Sequence, residues 1–516
     1  MISTRIKPNL YKDSVALMRI AEKLLADPAV TRATLVMATP ANKDILKEAG
    51  LLNAAAEAGA PSDLIIVIEC TDEAVARAAF ALVDGSLTGG SQAGGSQAGG
   101  RTSEAVVPRS LNMALGMAVA TQPKPLDAAN LVQISVPGAY AGAEALKAVK
   151  AGLNVFLFSD NVPLEQERAI KQLAQRKGVL VMGPDCGTAI IGGVPLGFAN
   201  VVRRGAIGLI GASGTGLQEV TSQIHLMGAG VSHAIGTGGR DVKAEIGGVT
   251  MLMALDLLTA DPGTKVIGIV SKPPAPAVMA QVIERAGRAG KPVVTVFLGG
   301  APVAAPANVH QTSTLYDCAA ACVALTAGTI GGRKPLVGAA PSQMPAKGSG
   351  KYLRGLFSGG TFCTEAQVAL QAAGIACWSN VPLDKTRALP DLQRSREHTL
   401  LDLGDDDFTI GKPHPMIDPS TRVTRIAQEA ADPETAVLLL DIVLGYAGHL
   451  DPAGALSQAI MQAKSKRALP VIAFVCGTEE DPQVRSQQEA ALKAAGCLVA
   501  ASSTQAAQWA AALVSA

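Results

Sequence analysis

Ser213 and Thr215 stand in the run Gly211-Ala212-Ser213-Gly214-Thr215-Gly216, between the apolar stretch Ile207–Ile210 and the helical pattern Leu217–Leu226. Small residues let backbone N–H groups approach an anion, and a helix start adds roughly half a positive charge. The run reads as a phosphate cradle without the lysine of a P-loop. An ordinary strand-to-helix turn capped by Ser213 or Thr215 is the alternative; the density of glycine and hydroxyl residues favours the anion site. A second such turn, Gly359-Gly360-Thr361-Phe362-Cys363, follows Tyr352–Phe357. Two helix starts, one in each half of the chain, could face a single phosphate through Ser213, Gly214, Thr215, Gly360 and Thr361. Cys363 could be a thiolate nucleophile at its helix start, although a small buried residue is the commoner role of a cysteine.

Other loops after apolar runs carry further candidates. In Gly183-Pro184-Asp185-Cys186-Gly187-Thr188, Asp185 could cap a helix or, with Cys186, touch a cofactor; capping is favoured. Lys272, held between Ser271 and two prolines, could meet an anion or simply be solvated. Arg240, in Gly236-Thr237-Gly238-Gly239-Arg240-Asp241, could grip a phosphate or carboxylate with two parallel hydrogen bonds, or pair with Asp241 in a surface turn. The densest polar cluster runs Gly404-Asp405-Asp406-Asp407-Phe408-Thr409 and on through Lys412, His414 and Asp418. Adjacent carboxylates repel unless a cation or helix-start amides compensate. Asp406, Asp407 and His414 are therefore expected to function, with helix capping and solvated acids as the alternative. Mg²⁺, which accepts one or two carboxylates beside phosphate oxygens, is a candidate, but no metal ligand is assigned.

These loops need a scaffold that presents strand ends. Short apolar runs recur at Leu64–Ile68, Leu131–Val136, Val155–Phe158, Val179–Met182, Ile207–Ile210, Val266–Val270 and Val293–Leu298, and again from Tyr352–Phe357 to Leu498–Ala500. Each leads into a Gly/Pro turn and a helical pattern, as buried parallel strands of βα units do. Doubly wound α/β sheets bind ligands at the carboxyl ends of their strands. The chain has 516 residues, enough for about three domains, with 54 Gly, 30 Pro and 3% aromatic residues. Gly89–Gly100 holds GGSQA twice, a flexible insertion near residues 85–105; the Pro/Gly/Ser-rich stretch 333–350 reads as a linker. The boundaries predicted are 1–203, 204–332 and 351–516. Lys and Arg total 44 against 43 Asp and Glu. That balance, with so few rings, argues against a nucleic-acid or membrane partner. The eight cysteines form no CxxC pair, so a cytoplasmic protein is expected.

From about Leu131 the chain resembles the α subunit of succinyl-CoA synthetase, and from about Arg354 the carboxy-terminal ligase domain of the β subunit, fused behind it. It resembles the FdrA-type family most closely, in the stretches GPDCGTAI (183–190), GASGTG (211–216), GTGGRD (236–241), SKPPAPAV (271–278) and GDDDFTIGKPHPMIDP (404–419). The resemblance implies an α/β protein with several doubly wound, mostly parallel sheets: a Rossmann-like, CoA-binding-type domain, then two flavodoxin-like ligase domains. Two departures stand out. The first strand region, Thr34–Met37, leads into Ala38-Thr39-Pro40-Ala41-Asn42 instead of a Gly-rich loop, which puts CoA in doubt. The phosphohistidine loop of the synthetases is matched only by the stretch holding His310, and its supporting acid by Ser271-Lys272-Pro273.

The resemblance implies carbamoyl transfer: a ureido acid and phosphate give an amide and carbamoyl phosphate, with partner subunits from the same operon. Phosphate or carbamoyl phosphate would be the ligand. Lys272, or Arg240, would neutralise charge, and Asp406, Asp407 and His414 would hold the ureido end or move a proton. The rival expectation is an acid–thiol ligase acting on a carboxylic acid. A metabolite-sensing scaffold is the third, and a homo-oligomer is left open.

Overall fold

The computed structural model describes residues 1–8, 10, 14–60, 63–88, 111, 130–328, 348–409 and 412–515. The GGSQA repeat, most of the 333–350 stretch and Gly411 lie outside these. The chain divides into two units, Met1–Ala129 and Asn130–Ala516.

The first unit runs β1 (Ile2–Lys7), α1 (Ser14–Leu25), β2 (Val30–Met37), α2 (Pro40–Glu48), α3 (Ala54–Ala58), β3 (Leu64–Cys70) and α4 (Glu73–Thr88). Its sheet has the order β1-β3-β2 and is antiparallel throughout. The expectation of a parallel strand at Leu64–Ile68, inside a Rossmann-like domain, is corrected here. Leu64, Ile66 and Ile68 pack on one side with residues of α1 and α4, while Ile65 and Val67 pack on the other with Leu46 and Ala56. A central strand covered on both faces is apolar at every position, so its sequence cannot be told from that of a parallel strand.

The second unit holds three sheets. A short parallel one, β4-β5-β6, comprises β4 (Leu131–Ile134), β5 (Asn154–Leu157) and β6 (Val181–Met182), with α5 (Gly138–Lys150) and α6 (Leu164–Lys177) between them. The next contains β7 (Thr188–Ile191), β8 (Val194–Gly197), β9 (Arg204–Gly211), α7 (Gly214–Leu226), β10 (Val231–Gly236), α8 (Val249–Ala260), β11 (Val266–Ser271), α9 (Pro276–Gly287), β12 (Val293–Phe297), β13 (Val309–Thr312) and α10 (Leu315–Thr326). Its strand order is β13-β12-β11-β9-β10-β7-β8, parallel from β13 to β10 and antiparallel at the β7–β8 hairpin. The boundary expected at 203 therefore falls inside a sheet, because β7 and β8 precede it and still pair onto β10.

The last sheet is wholly parallel, in the order β15-β16-β14-β17-β18-β19. It comprises β14 (Tyr352–Phe357), α11 (Gly360–Ala372), β15 (Trp378–Ser379), β16 (Thr399–Asp402), α12 (Asp406–Thr409), α13 (Ser420–Ala431), β17 (Thr435–Val443), α14 (Pro452–Lys466), β18 (Val471–Cys476), α15 (Arg485–Ala494), β19 (Leu498–Ala500) and α16 (Ser503–Ser515).

Both large sheets are doubly wound. Leu209 packs into one core and Ile210 into another; Leu439 and Leu440 part in the same way. The core is continuous between the two large sheets: Leu217, Val220 and Ile224 of α7 join Cys318 of α10, Phe362 and Ala366 of α11, and Ala507 and Ala510 of α16. Each fully buried Leu, Ile or Phe there contributes about 1.5–3 kcal/mol relative to exposure. This packing brings the starts of α7 and α11 together.

Candidate functional site at two converging helix starts

Ser213 caps α7: its backbone is extended and its Oγ accepts from Gly216 N–H. The same Oγ touches Thr361 Oγ1, in the first turn of α11. The hydroxyls predicted to share one anion, 148 residues apart in sequence, are thus hydrogen-bonded neighbours. Gly359 makes the approach feasible, since a Cβ there would stand 2.6 Å from Thr215 Cγ2. Thr188, at the start of β7, adds a third hydroxyl: it is buried without a hydrogen-bond partner among the described residues, and its Oγ1 lies 3.3 Å from where a Cβ on Gly214 would be.

A carboxylate faces the other helix start. Asp402 ends β16 with only 7% exposure, and a Cβ on Gly360 would collide with its Oδ2. Gly404 N–H donates to its Oδ1 at 3.0 Å. Burial pushes its carboxyl up to about 7 against the bond from Gly404; Asp405 and Asp441 add to the rise and Lys272 opposes it. Lys272 is solvent-exposed after β11 and is felt by Asp402, Asp405 and Cys363. The turn before α11 is anchored from below: Ser358 donates through its N–H and Oγ to Asp441, which is fully buried and paired with Arg422 at 2.8 Å.

His414 is held beside this turn. Its Nε2 lies 2.5 Å from where a Cβ on Gly404 would stand, and its ring is 5.8 Å from that of Phe198. Burial lowers its pKa to about 4, so the ring is neutral. Nδ1 accepts from Met416 N–H at 3.2 Å. A neutral imidazole that accepts at one nitrogen carries its proton on the other, so His414 presents an Nε2–H donor and no nucleophilic lone pair.

The acid run divides in its roles. Asp405 caps α12, accepting from Asp407 N–H at 3.2 Å, and Asp418 accepts from Ser420 N–H at the start of α13; both do what a capping acid does. Asp406 and Asp407 are exposed. Asp406 faces Asp185, which adopts φ 55° in the loop after β6. Asp185 is exposed to solvent, with protein close behind it. That crowding carries its carboxyl to about 7, with Asp160 and Asp406 adding and Arg240 opposing. The loops after β6 and β16 thus come near each other.

Four other candidates do not present a free group to this site. Arg240 spends its donors locally, pairing through Nε with Glu167 at 2.8 Å and donating to Val162 O at 2.7 Å; the two-pronged anion grip expected of it is engaged by α6 and the adjoining loop. Its neighbour Asp241, buried with Lys171, caps α8 through Thr250 N–H and Met251 N–H. Cys186, expected near a cofactor, is buried in the core with its thiol pushed up to about 12. Cys363 is likewise fully buried, and burial raises its thiol far above the ordinary range; it points into the core, which removes the nucleophile reading. His310 lies within the edge strand β13. Among the described residues no three His, Cys, Asp or Glu side chains converge as metal ligands.

Comparison with known proteins assigns the segments. Residues 202–299 match the model of a CoA binding domain, and 356–513 that of a CoA-ligase. The CoA-binding match begins just before β9, which leads into the Gly-rich run Gly211–Gly216, whereas the absence that counted against CoA was sought after Thr34–Met37, in a different unit. Residues 1–104 match an AllF heavy metal-associated domain. That stretch contains one cysteine, Cys70, and no histidine; Cys70 is buried and its thiol donates to Asp72 O. A lone buried thiol does not fit a soft-metal site.

ADP-forming sulfoacetate-CoA ligase subunit SauD of Bilophila wadsworthia is 28% identical over 151 residues, 28% of this chain and 50% of that protein. The α subunit of ADP-forming succinate–CoA ligase from Methanothermobacter thermautotrophicus is 29% identical over 142 residues, 27% of this chain and 47% of that subunit. The chain thus matches about half the length of these two ligase subunits. YahF of Escherichia coli (strain K12) is 42% identical over 517 residues, 97% of this chain and 96% of that protein. With that near-complete match and the order of its three segments, the chain belongs to the FdrA-type family, a succinyl-CoA-synthetase α-like protein fused to a β-subunit-like ligase domain.

Proposed function

We propose that this chain is the phosphate-binding subunit of a carbamoyl-transfer enzyme working with partner subunits. The observation that carries the reading is the contact between Ser213 and Thr361, which aims two helix starts at one place. A phosphate oxygen attacks the ureido carbonyl carbon, the bond from that carbon to the amide nitrogen breaks, and the nitrogen takes up a proton. Carbamoyl phosphate and an amide result. Ser213, Gly214, Thr215, Gly360 and Thr361 hold phosphate through hydroxyls and helix-start amides, and Lys272 offsets its charge. His414 donates from Nε2 to the ureido oxygen as charge develops there. Asp406 and Asp407 hold the amide end, with Asp185 beside Asp406 and near neutrality in its proton affinity. Such chemistry needs positioning and charge stabilisation more than a strong nucleophile. A histidine held as a donor also suits it better than a phosphohistidine relay.

A second reading is acid–thiol ligation, favoured by the matches to CoA-binding and CoA-ligase models. There the cradle Gly211–Gly216 would serve CoA or an acyl phosphate. One assay separates the two. The protein, with and without its operon partners, is mixed with oxalurate or another ureido acid, phosphate and Mg²⁺. A parallel sample receives ATP, CoA and a panel of carboxylic acids. Carbamoyl phosphate formation that Ser213→Ala abolishes is the expected result; thioester formation instead establishes the ligase.

A further inference from the structure

We propose that Asp402 is a proton-operated gate on the anion site: when ionised, its carboxylate repels a phosphate from the start of α11, and the anion enters as Asp402 takes up a proton. The inference rests on the phosphate reading above and adds a residue and a condition to it.

The geometry leaves the carboxylate little freedom. Asn380 grips the Asp402 backbone on both sides, accepting from its N–H and donating to its carbonyl, each at 3.0 Å. Gly404 N–H holds Oδ1, so Oδ2 stays against Gly360, the first residue of α11. An independent observation on the opposite helix points to a missing ligand. Thr188 is 1% exposed, its hydroxyl has no hydrogen-bond partner among the described residues, and it is directed at Gly214, the first residue of α7. Leaving a buried hydroxyl unpaired is costly, and an arriving oxyanion removes that cost.

The charged and titratable groups facing Asp402 are Asp405 from its own loop, Asp441 from β17, Cys363 from α11 and Lys272 from the turn after β11. Burial and the two acids favour the protonated form, and the Gly404 N–H bond and Lys272 oppose them. A bound anion adds another negative neighbour, so proton and anion assist each other reciprocally. Once protonated, Asp402 turns from a repelling acceptor into a hydrogen-bond donor to the ligand.

The test is isothermal titration of inorganic sulfate, which does not itself titrate in this range, into the full chain at about pH 6 and about pH 8. Buffers of different ionisation heat count the protons taken up. With Asp402 near 7, binding at the lower pH is expected to be about tenfold tighter. At the higher pH close to one proton is taken up per anion. Asp402→Asn, which keeps an oxygen for Gly404 N–H, is expected to bind equally at both pH values and to take up none. Binding that Ser213→Ala abolishes but that is independent of pH overturns the gate and leaves the phosphate reading standing. No sulfate binding at either pH overturns both. Should Asp402→Asn fail to fold, the wild-type proton count decides, and a count of zero overturns the gate.

Discussion

Ser213 has a capping duty in the structure and a proposed duty as a phosphate ligand, and the two can be measured apart. As the cap of α7 it satisfies Gly216 N–H, and its loss in Ser213→Ala is expected to cost about 1 kcal/mol of stability, read by urea unfolding. As a ligand it is expected to matter more, with phosphate affinity falling at least tenfold in the same variant. Asp441 makes the opposite case, because it binds nothing that arrives from outside. Asp441→Ala would strand the buried Arg422 and free Ser358, so a loss of about 3–5 kcal/mol is expected in the same unfolding measurement. Ser213 and Thr361 are visible in the sequence because hydroxyls among glycines before a helix are a local signal. Asp402, Asp441 and Thr188 are not, since each sits within or beside an apolar run and reads as part of a strand. An acid inside Leu438–Val443 is still a clue: a charge at that depth must have a partner, here Arg422.

The helices that carry the site are tied together by a second buried junction. Glu219 of α7 and Glu365 of α11 both meet the start of α16: Ser503 N–H donates to Glu219, while the Ser503 and Thr504 hydroxyls donate to Glu365. Burial, opposed by those bonds, raises Glu365 from an ordinary 4.5 to about 7, and it raises Glu219 as well. An acid whose folded pKa lies above its unfolded one favours folding while protonated. Its contribution is complete below about pH 4.5 and is lost as pH climbs through about 7. Unfolding free energy is therefore expected to fall between about pH 5 and pH 8, by up to about 3 kcal/mol from Glu365, and Glu365→Gln is expected to flatten that slope. Most elements were legible from apolar period and turn chemistry, including the strands that end at the site. The direction of β3 was not, because helices on both faces erase the alternation that marks an antiparallel strand.

At the scale of the molecule each unit has hydrophobic clusters of its own among the described residues. Those of the first unit lie between Leu10 and Leu87, and those of the second begin at Leu131. A fragment of residues 130–516 is therefore expected to melt cooperatively within about 2 °C of the corresponding transition of the whole chain, as read by calorimetry. The first unit is expected to retain no copper(I) or zinc after gel filtration, since it offers a single buried thiol. No helix among the described residues is long and apolar enough to cross a membrane. One further consequence lies in the pairing of Ser213 with Thr361. The two helix starts belong to one polypeptide, so their meeting is a first-order event. A site split between two molecules falls apart on dilution, whereas a tethered pair experiences an effective concentration on the order of millimolar whatever the number of copies in the cell. The proposed anion cradle therefore has both its helix starts in every molecule, and scarcity of this protein would lower the number of such pairs without parting any of them.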